Sequence, residues 1–338
     1  MVPELARGGP AVLGIVIVVG SGVAVDPVRR PVLGGGSHAV PRLSRMGRSR
    51  RNRGSEPDTA AAPDALQAGT WQTSTGTVEL QPDPHADGAW TVLVNGVPSS
   101  HVDPQRPEQL DFEYMRWMAA VARQHVDAHL DPQRLRLLHL GGGACSMARW
   151  AAAEWPASRQ VVVELDARLV ELVRGWFDLP RAPLLRVRAG EARAVTESLT
   201  QSTREIVIRD VFAGAATPEP LTTVEFARAV ERVLALGGIY LLNVGDTRDL
   251  QGARAEAAAL REVFGHVAAV ADPAMLKGRR YGNVVLAASR TPLPVGTSPE
   301  AATMERDLLI DAVPAQYKDD EWTRRFAGTT PPRRDPQP

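Results

Sequence analysis

Apolar positions divide this chain into an aperiodic start, a stretch with period two, and a long alternation of short apolar runs with helical repeats. Residues 76–80 and 90–94 alternate apolar and polar side chains and are separated by Pro, Asp and Gly, which predicts a hairpin with Asp87-Gly88 in its turn. Asn95-Gly96 is a second turn signal, followed by a short extended piece. Across 110–130, Phe112, Met115, Met118, Ala119, Ala122 and Val126 recur at helical spacing. Beyond Leu135 the spacing predicts strands over 135–140, 161–165, 184–189, 205–210, 239–244, 267–271 and 283–288. Between them it predicts helices reaching Trp155 and covering 167–176, 192–199, 222–235 and 251–264. Thr222 and Glu225 stand at capping-box spacing, and Gly237-Gly238 is expected to stop that helix and start the next strand. Seven strands with crossover helices predict a doubly wound α/β domain.

The first seventy residues do not fit that domain. The apolar run 11–25 is shorter than the roughly 20 residues that span a bilayer as a helix. It also lacks the basic lead of a signal peptide. From there to about Ala68 the chain is rich in Gly, Pro, Ser and Arg, too polar to offset its ordering entropy. Residues 1–70 are therefore expected to be disordered, or an extension ahead of a start at Met46. Lys plus Arg and Asp plus Glu both number 39, so the basic excess of a nucleic-acid binder is absent. One cysteine, Cys145, excludes an intramolecular disulfide and a cysteine-built zinc site. The expectation is a cytoplasmic protein with neither nucleic-acid nor membrane partners and no metal.

In an open α/β sheet the ligand lies beyond the carboxyl ends of the strands. The residues at those ends are Gly141-Gly142-Gly143, then Glu164 and Asp166, Gly190-Glu191, Asp210, and Asn243. A glycine turn lets backbone approach a ligand closely. Glu164, about twenty residues on, suits a ribose diol, and Glu191 an adenine amino group. An NAD-type reading departs from G-x-G-x-x-G at Ser146. Three acids in this order fit an adenosine ligand without a pyrophosphate, S-adenosylmethionine or a relative.

From about Gly76 to Ser289 the chain resembles the polyamine aminopropyltransferases, the spermidine synthase family. Leu140-Gly141-Gly142-Gly143 is similar to that family's G-G-G-D-G loop, and Val163-Glu164-Leu165-Asp166 to its V-E-I-D. Arg209-Asp210-Val211-Phe212, with Pro218, Leu221, Thr222, Glu225 and Phe226, resembles the segment bearing its catalytic aspartate. Asp111-Phe112-Glu113-Tyr114 resembles its D-E-x-x-Y helix entry, and Asn95-Gly96-Val97 its L-D-G turn. The resemblance implies a Rossmann-like, seven-stranded methyltransferase-type sheet with a small N-terminal β element. It divides the chain into the extension 1–70, the β element 71–109, the nucleoside-binding catalytic domain 110–290 and a Pro/Arg-rich tail 291–338 holding a helix near 299–311. It further implies a homodimer that moves an aminopropyl group from decarboxylated S-adenosylmethionine, a co-substrate and no tightly bound cofactor, to a small polyamine acceptor. Asp210 then deprotonates the attacking amine with Tyr114 beside it, while Gly141, Gly142, Gly143, Glu164 and Glu191 hold the nucleoside.

Three positions depart from that pattern: Ala144 and Ala213 where the family has aspartates, and Val244 where it offers a glutamine. Loss of two carboxylates weakens amine recognition and removes a group that would repel the carboxylate of intact S-adenosylmethionine. A methyltransferase using intact S-adenosylmethionine and a catalytically lapsed nucleoside-binding protein therefore stand as alternatives. Cys145 is read as a small loop residue near a helix N-terminus that lowers its pKa, His125 and His129 as a surface pair, and Trp150, Trp155 and Trp176 as covers of helix–sheet contacts.

Overall fold

This computed structural model describes residues 66–214 and 216–337; Met46 and residues 1–65 of the expected extension lie outside the described residues, while Gly69 and Thr70, at its end, belong to a strand. The lead-in is a four-stranded antiparallel meander of β1 (Gly69–Thr73), β2 (Gly76–Pro82), β3 (Trp90–Val94) and β4 (Val97–Val102). The predicted hairpin is β2–β3, and Asn95 and Gly96 both take positive φ in the tight turn to β4. Strand β1 escaped the periodicity because its sequence, GTWQT, holds one large apolar side chain and leaves nothing to alternate with.

A helix, α1 (Glu113–His129), leads into the main domain. Its elements in order are β5 (Arg136–Leu140), α2 (Ser146–Glu154), β6 (Arg159–Glu164), α3 (Ala167–Trp176), β7 (Leu185–Ala189), α4 (Ala192–Ser198) and β8 (Arg204–Arg209). Then come α5 (Val224–Val233), β9 (Leu234–Asp246), α6 (Gln251–Arg261), β10 (His266–Ala271), α7 (Pro273–Leu276) and β11 (Gly282–Ser289). With β12 (Gln316–Lys318) they form one sheet in the order β12-β10-β11-β9-β8-β5-β6-β7. Strands β5 to β9 pair in parallel, whereas β11 runs antiparallel to both β9 and β10. Leu137, Leu138 and Leu140 of β5, with Ile206, Val207 and Ile208 of β8, are almost wholly buried, as expected of a sheet covered on both faces. The chain works outward from β5 through β6 to β7, then crosses back to β8. The carboxyl ends of β5 and β8 therefore flank the switch point.

The seven expected strands are joined by an eighth. Residues beyond Ser289 pack as α8 (Pro299–Leu309), β12 and α9 (Asp320–Ala327). Arg116 of α1 grips Asp311 at 2.6 and 2.9 Å, and β12 pairs with β10. A final arm crosses the start of α5: Val224 N–H donates to the Arg333 carbonyl at 3.0 Å, Arg193 pairs with Asp335, and Arg334 with Glu262 at 2.6 Å.

Several local expectations are corrected. The N-cap of α5 is Thr223, whose hydroxyl accepts from Phe226 N–H at 3.2 Å; Thr222 is instead held by its own hydroxyl to the Glu219 carbonyl. Gly237-Gly238 does not follow a helix but bends β9, where the pairing with β8 slips in register. His125 is buried, not superficial: it bonds the Gly237 carbonyl at 2.7 Å, and burial lowers its pKa to about 4. Cys145 caps α2 in a left-handed conformation, and burial pushes its thiol up to about 12, overriding the helix terminus. Trp176 covers a different sheet from the main one, meeting Trp71 of β1 at 4.8 Å.

Candidate active site

The glycine loop turns directly off β5. Gly141 has φ +89°, and a Cβ there would lie 2.0 Å from the Asp210 carbonyl oxygen. Only glycine lets the β5 and β8 ends approach this closely. The two ends are tied by Asp210 N–H donating to the Leu140 carbonyl at 2.8 Å. Glu164, at the end of β6, accepts from Gly142 N–H at 2.9 Å and Gly143 N–H at 3.1 Å on one oxygen, and from Asp166 N–H at 3.1 Å on the other. Its carboxylate thus fixes the loop and is half-buried. Ala144 is wholly buried, its N–H donating to Ser100 Oγ of β4 at 2.9 Å, so the small sheet braces the loop from outside.

Asp166 joins the same brace. Its carboxylate accepts from Thr75 N–H and Oγ1–H at 2.8 and 2.7 Å and caps α3 through Arg168 N–H and Leu169 N–H. Burial alone would raise its pKa, but these donors hold it well below the ordinary carboxylate value.

Across the switch point, Asp210 meets groups from two other elements. Tyr114 of α1 donates its hydroxyl to Oδ2 at 2.9 Å, and Asn243 of β9 donates its amide to Oδ1 at 3.1 Å. Burial pushes the Asp210 carboxyl above the usual carboxylate value, against the hydrogen bonds of Asn243 and Tyr114 and the charge of Arg209. Burial, with the Asp210 charge, also drives the Tyr114 phenol well above its ordinary value and keeps it a donor. A carboxylate has about four acceptor positions. These two bonds leave room for a further donor.

Six of the sequence-predicted residues therefore surround the switch point: Tyr114 and Asp210 on one side, Gly142, Gly143 and Glu164 on the other, with Gly141 as their hinge. Glu191 stands apart at the end of β7, exposed, its oxygens accepting from Arg193 N–H and Ala194 N–H as the N-cap of α4. Beyond Asp210 the chain doubles back, Ala213 bridging Ala216.

Sequence reasoning placed Asn243 at a strand end but gave it no partner. The amide on Asp210 comes from this residue, one before the position where a glutamine was expected. Sequence reasoning gave Arg209 no role beyond its place in the motif and missed Glu256 altogether. The Arg209 guanidinium, fully buried, pairs with Glu256 of α6 at 2.6 and 3.1 Å and donates to the Leu221 and Asn243 carbonyls at 2.6 and 3.3 Å. The available signal was a charge in each of two apolar stripes: Arg209 after Ile206-Val207-Ile208, and Glu256 between Ala253 and Leu260. A buried charge demands a partner. Among the described residues no group of three or more His, Cys, Asp or Glu could hold a metal ion, and no helix is long and apolar enough to cross a membrane.

No protein-family model matches the chain. A probable spermidine synthase from Corynebacterium glutamicum ATCC 13032, known from its crystal structure, is 51% identical, with a TM-score of 0.78 over 80% of this chain and 98% of that one. The polyamine aminopropyltransferase of Vibrio vulnificus (strain CMCP6) is 28% identical over 213 residues, 62% of this chain. The chain spans 66% of that relative's length, and 44% of the polyamine aminopropyltransferase of Neisseria meningitidis serogroup B (strain ATCC BAA-335 / MC58), at 27% identity. A spermidine synthase crystallised with the transition-state analogue AdoDATO shares the fold, at a TM-score of 0.50 and 16% identity over 77% of this chain and 83% of that one.

Proposed function

The chain belongs to the spermidine synthase family, and from that premise we propose that it transfers an aminopropyl group from decarboxylated S-adenosylmethionine to a small amine acceptor. One observation carries the reading: a half-buried carboxylate, Asp210, held by Tyr114 and Asn243 beside the glycine loop, with acceptor capacity left over.

The reaction needs a neutral amine aimed at the carbon next to a sulfonium. An acceptor ammonium gives a proton to Asp210, and its freed lone pair attacks that methylene carbon. The new N–C bond forms as the C–S bond breaks. The bonding pair passes to sulfur, which leaves as neutral methylthioadenosine, and the proton departs through Asp210 to solvent. A carboxyl raised by burial is a better proton acceptor than one in water, so burial aids the base. The Tyr114 phenol, held protonated, and the Asn243 amide orient the carboxylate without competing for the proton. The rate is expected to fall as pH drops through the raised Asp210 value, at a pH above the ordinary 3.8.

The nucleoside is a co-substrate. Glu164 and the Gly141–Gly143 turn suit its ribose, and a diol using both Glu164 oxygens displaces at least one loop N–H from Oε2. Glu191, its oxygens engaged at the α4 N-cap, retains spare acceptor capacity for an adenine amino group. Neither Ala144 nor Ala213 supplies a carboxylate to an ammonium end. Each lost charge-assisted hydrogen bond removes about 1.5–3 kcal/mol, so a high KM for short diamines is expected.

The test is chromatography of methylthioadenosine release with a panel of linear amines and either donor. Release with decarboxylated S-adenosylmethionine, reduced at least about 100-fold in Asp210→Asn, is the expected result. No release with any amine, or S-adenosylhomocysteine formed from intact S-adenosylmethionine, overturns the reading.

A further inference from the structure

Arg209 lies next to Asp210 in the chain, yet its side chain runs away from the site into the protein. There it touches three elements. Glu256 of α6 receives two of its N–H groups, at 2.6 and 3.1 Å. The carbonyl of Asn243 on β9 receives another at 3.3 Å, and that of Leu221, in the segment leading to α5, receives one at 2.6 Å. Asn243 is the residue whose amide holds Asp210, so the guanidinium grips the backbone of the group that orients the carboxylate. Both Arg209 and Glu256 are almost completely removed from solvent, at 1% and 3% exposure. An ion pair so deep gains little net stability over an apolar pair of similar size. Its retention calls for a role that packing alone would not fill.

We propose that Arg209, locked by Glu256, is a positioning residue for the reaction: one guanidinium sets the spacing of the β8 end, the β9 end and the Leu221 segment, and thereby the alignment of Asn243 on Asp210. The role rests on the aminopropyl-transfer reading for its kinetic consequence but not for its physical one. A lysine cannot replace the guanidinium, because a point charge cannot serve a carboxylate and two carbonyls in one plane.

The groups that face Asp210 are Asn243 of β9, Tyr114 of α1 and Arg209 from its own strand; Glu113 acts on Tyr114, and Tyr240 of β9 and Glu256 of α6 act on Arg209. The Asn243 and Tyr114 hydrogen bonds draw the Asp210 carboxyl back down against burial, and the Arg209 charge adds to them. Two variants separate the charge from the geometry. Arg209→Lys keeps the charge but not the planar fork; it is expected to lose at least about tenfold in kcat, with the donor KM little changed. Arg209→Met combined with Glu256→Gln avoids stranding a buried carboxylate; it is expected to lose kcat and also to move the acid limb to higher pH. Carbon-13 NMR of the Asp210 carboxyl, assigned against Asp210→Asn, reads the same upward shift in ligand-free protein. It decides the role of Arg209 even if no aminopropyl transfer is detected. A folded double variant whose Asp210 titration matches the parent's, or an Arg209→Lys protein with parental kcat, overturns the proposal.

Discussion

At the scale of single residues, the site sets function against stability. Asp210 titrates above its ordinary value, so between that value and its folded one the native state holds a proton that the unfolded chain does not. Its contribution to stability therefore falls as pH rises through the window, and at neutral pH the ionised carboxylate is a cost. Asp210→Asn is expected to lower turnover by about 10²–10⁴-fold and yet to raise Tm at pH 7, the gain shrinking toward pH 4; calorimetry at the two pH values checks it. Cys145 gives the opposite kind of prediction. With its thiol pushed up to about 12, roughly one molecule in 10⁴ carries a thiolate at pH 8. Native protein should resist a thiol-reactive disulfide that modifies the unfolded chain at once. The strand-end acids were legible in the sequence because strand ends can be counted. Arg209 with Glu256 was not, since 47 residues separate partners that only the crossover brings together.

Among elements, the longer helices and strands from β2 to β11 followed from periodicity while β1, α7, β12 and α9 did not, and local errors gathered where a side chain had two possible partners. Thr222 and Thr223 could each cap α5. The choice fell to Thr223 because the Thr222 hydroxyl is bonded back to Glu219 and also receives Arg333. His125 follows its helical spacing, but its buried position came from the bend of β9 at Gly237, which no local pattern announces. The element contact with the clearest consequence is the carboxylate of Asp166, which caps α3 while holding the β1–β2 turn through Thr75. Asp166→Ala removes an N-cap and two bonds to the small sheet, and should destabilise the protein by about 2–4 kcal/mol in urea. Because its folded pKa is depressed, this stability is full above the unfolded value and lost as pH falls through the folded one.

Considered as a whole molecule, the chain builds its site at one crossing of a sheet and fastens it from two directions. The small meander braces the glycine loop through Ser100, and the arm after α9 braces the start of α5 through Arg333 and Asp335. Removing residues 329–338 is expected to raise hydrogen exchange at Val224 and lower Tm by a few degrees, while exchange in β5 and β8 stays slow. The seven strands were legible from their apolar runs, though not their order in the sheet, which the crossovers set; the eighth was not, being three residues long.

Among the described residues that sheet ends in two edge strands, and they differ in kind. At one, β12 is too short to template a long pairing. At the other, β7 presents Arg186 and Arg188 on an exposed strand. Two molecules approaching edge to edge along β7 would bring four guanidinium groups into line, and their mutual repulsion opposes the unwanted strand exchange that leads to aggregates. Colloidal stability should therefore depend on salt at one margin of the sheet and on strand length at the other.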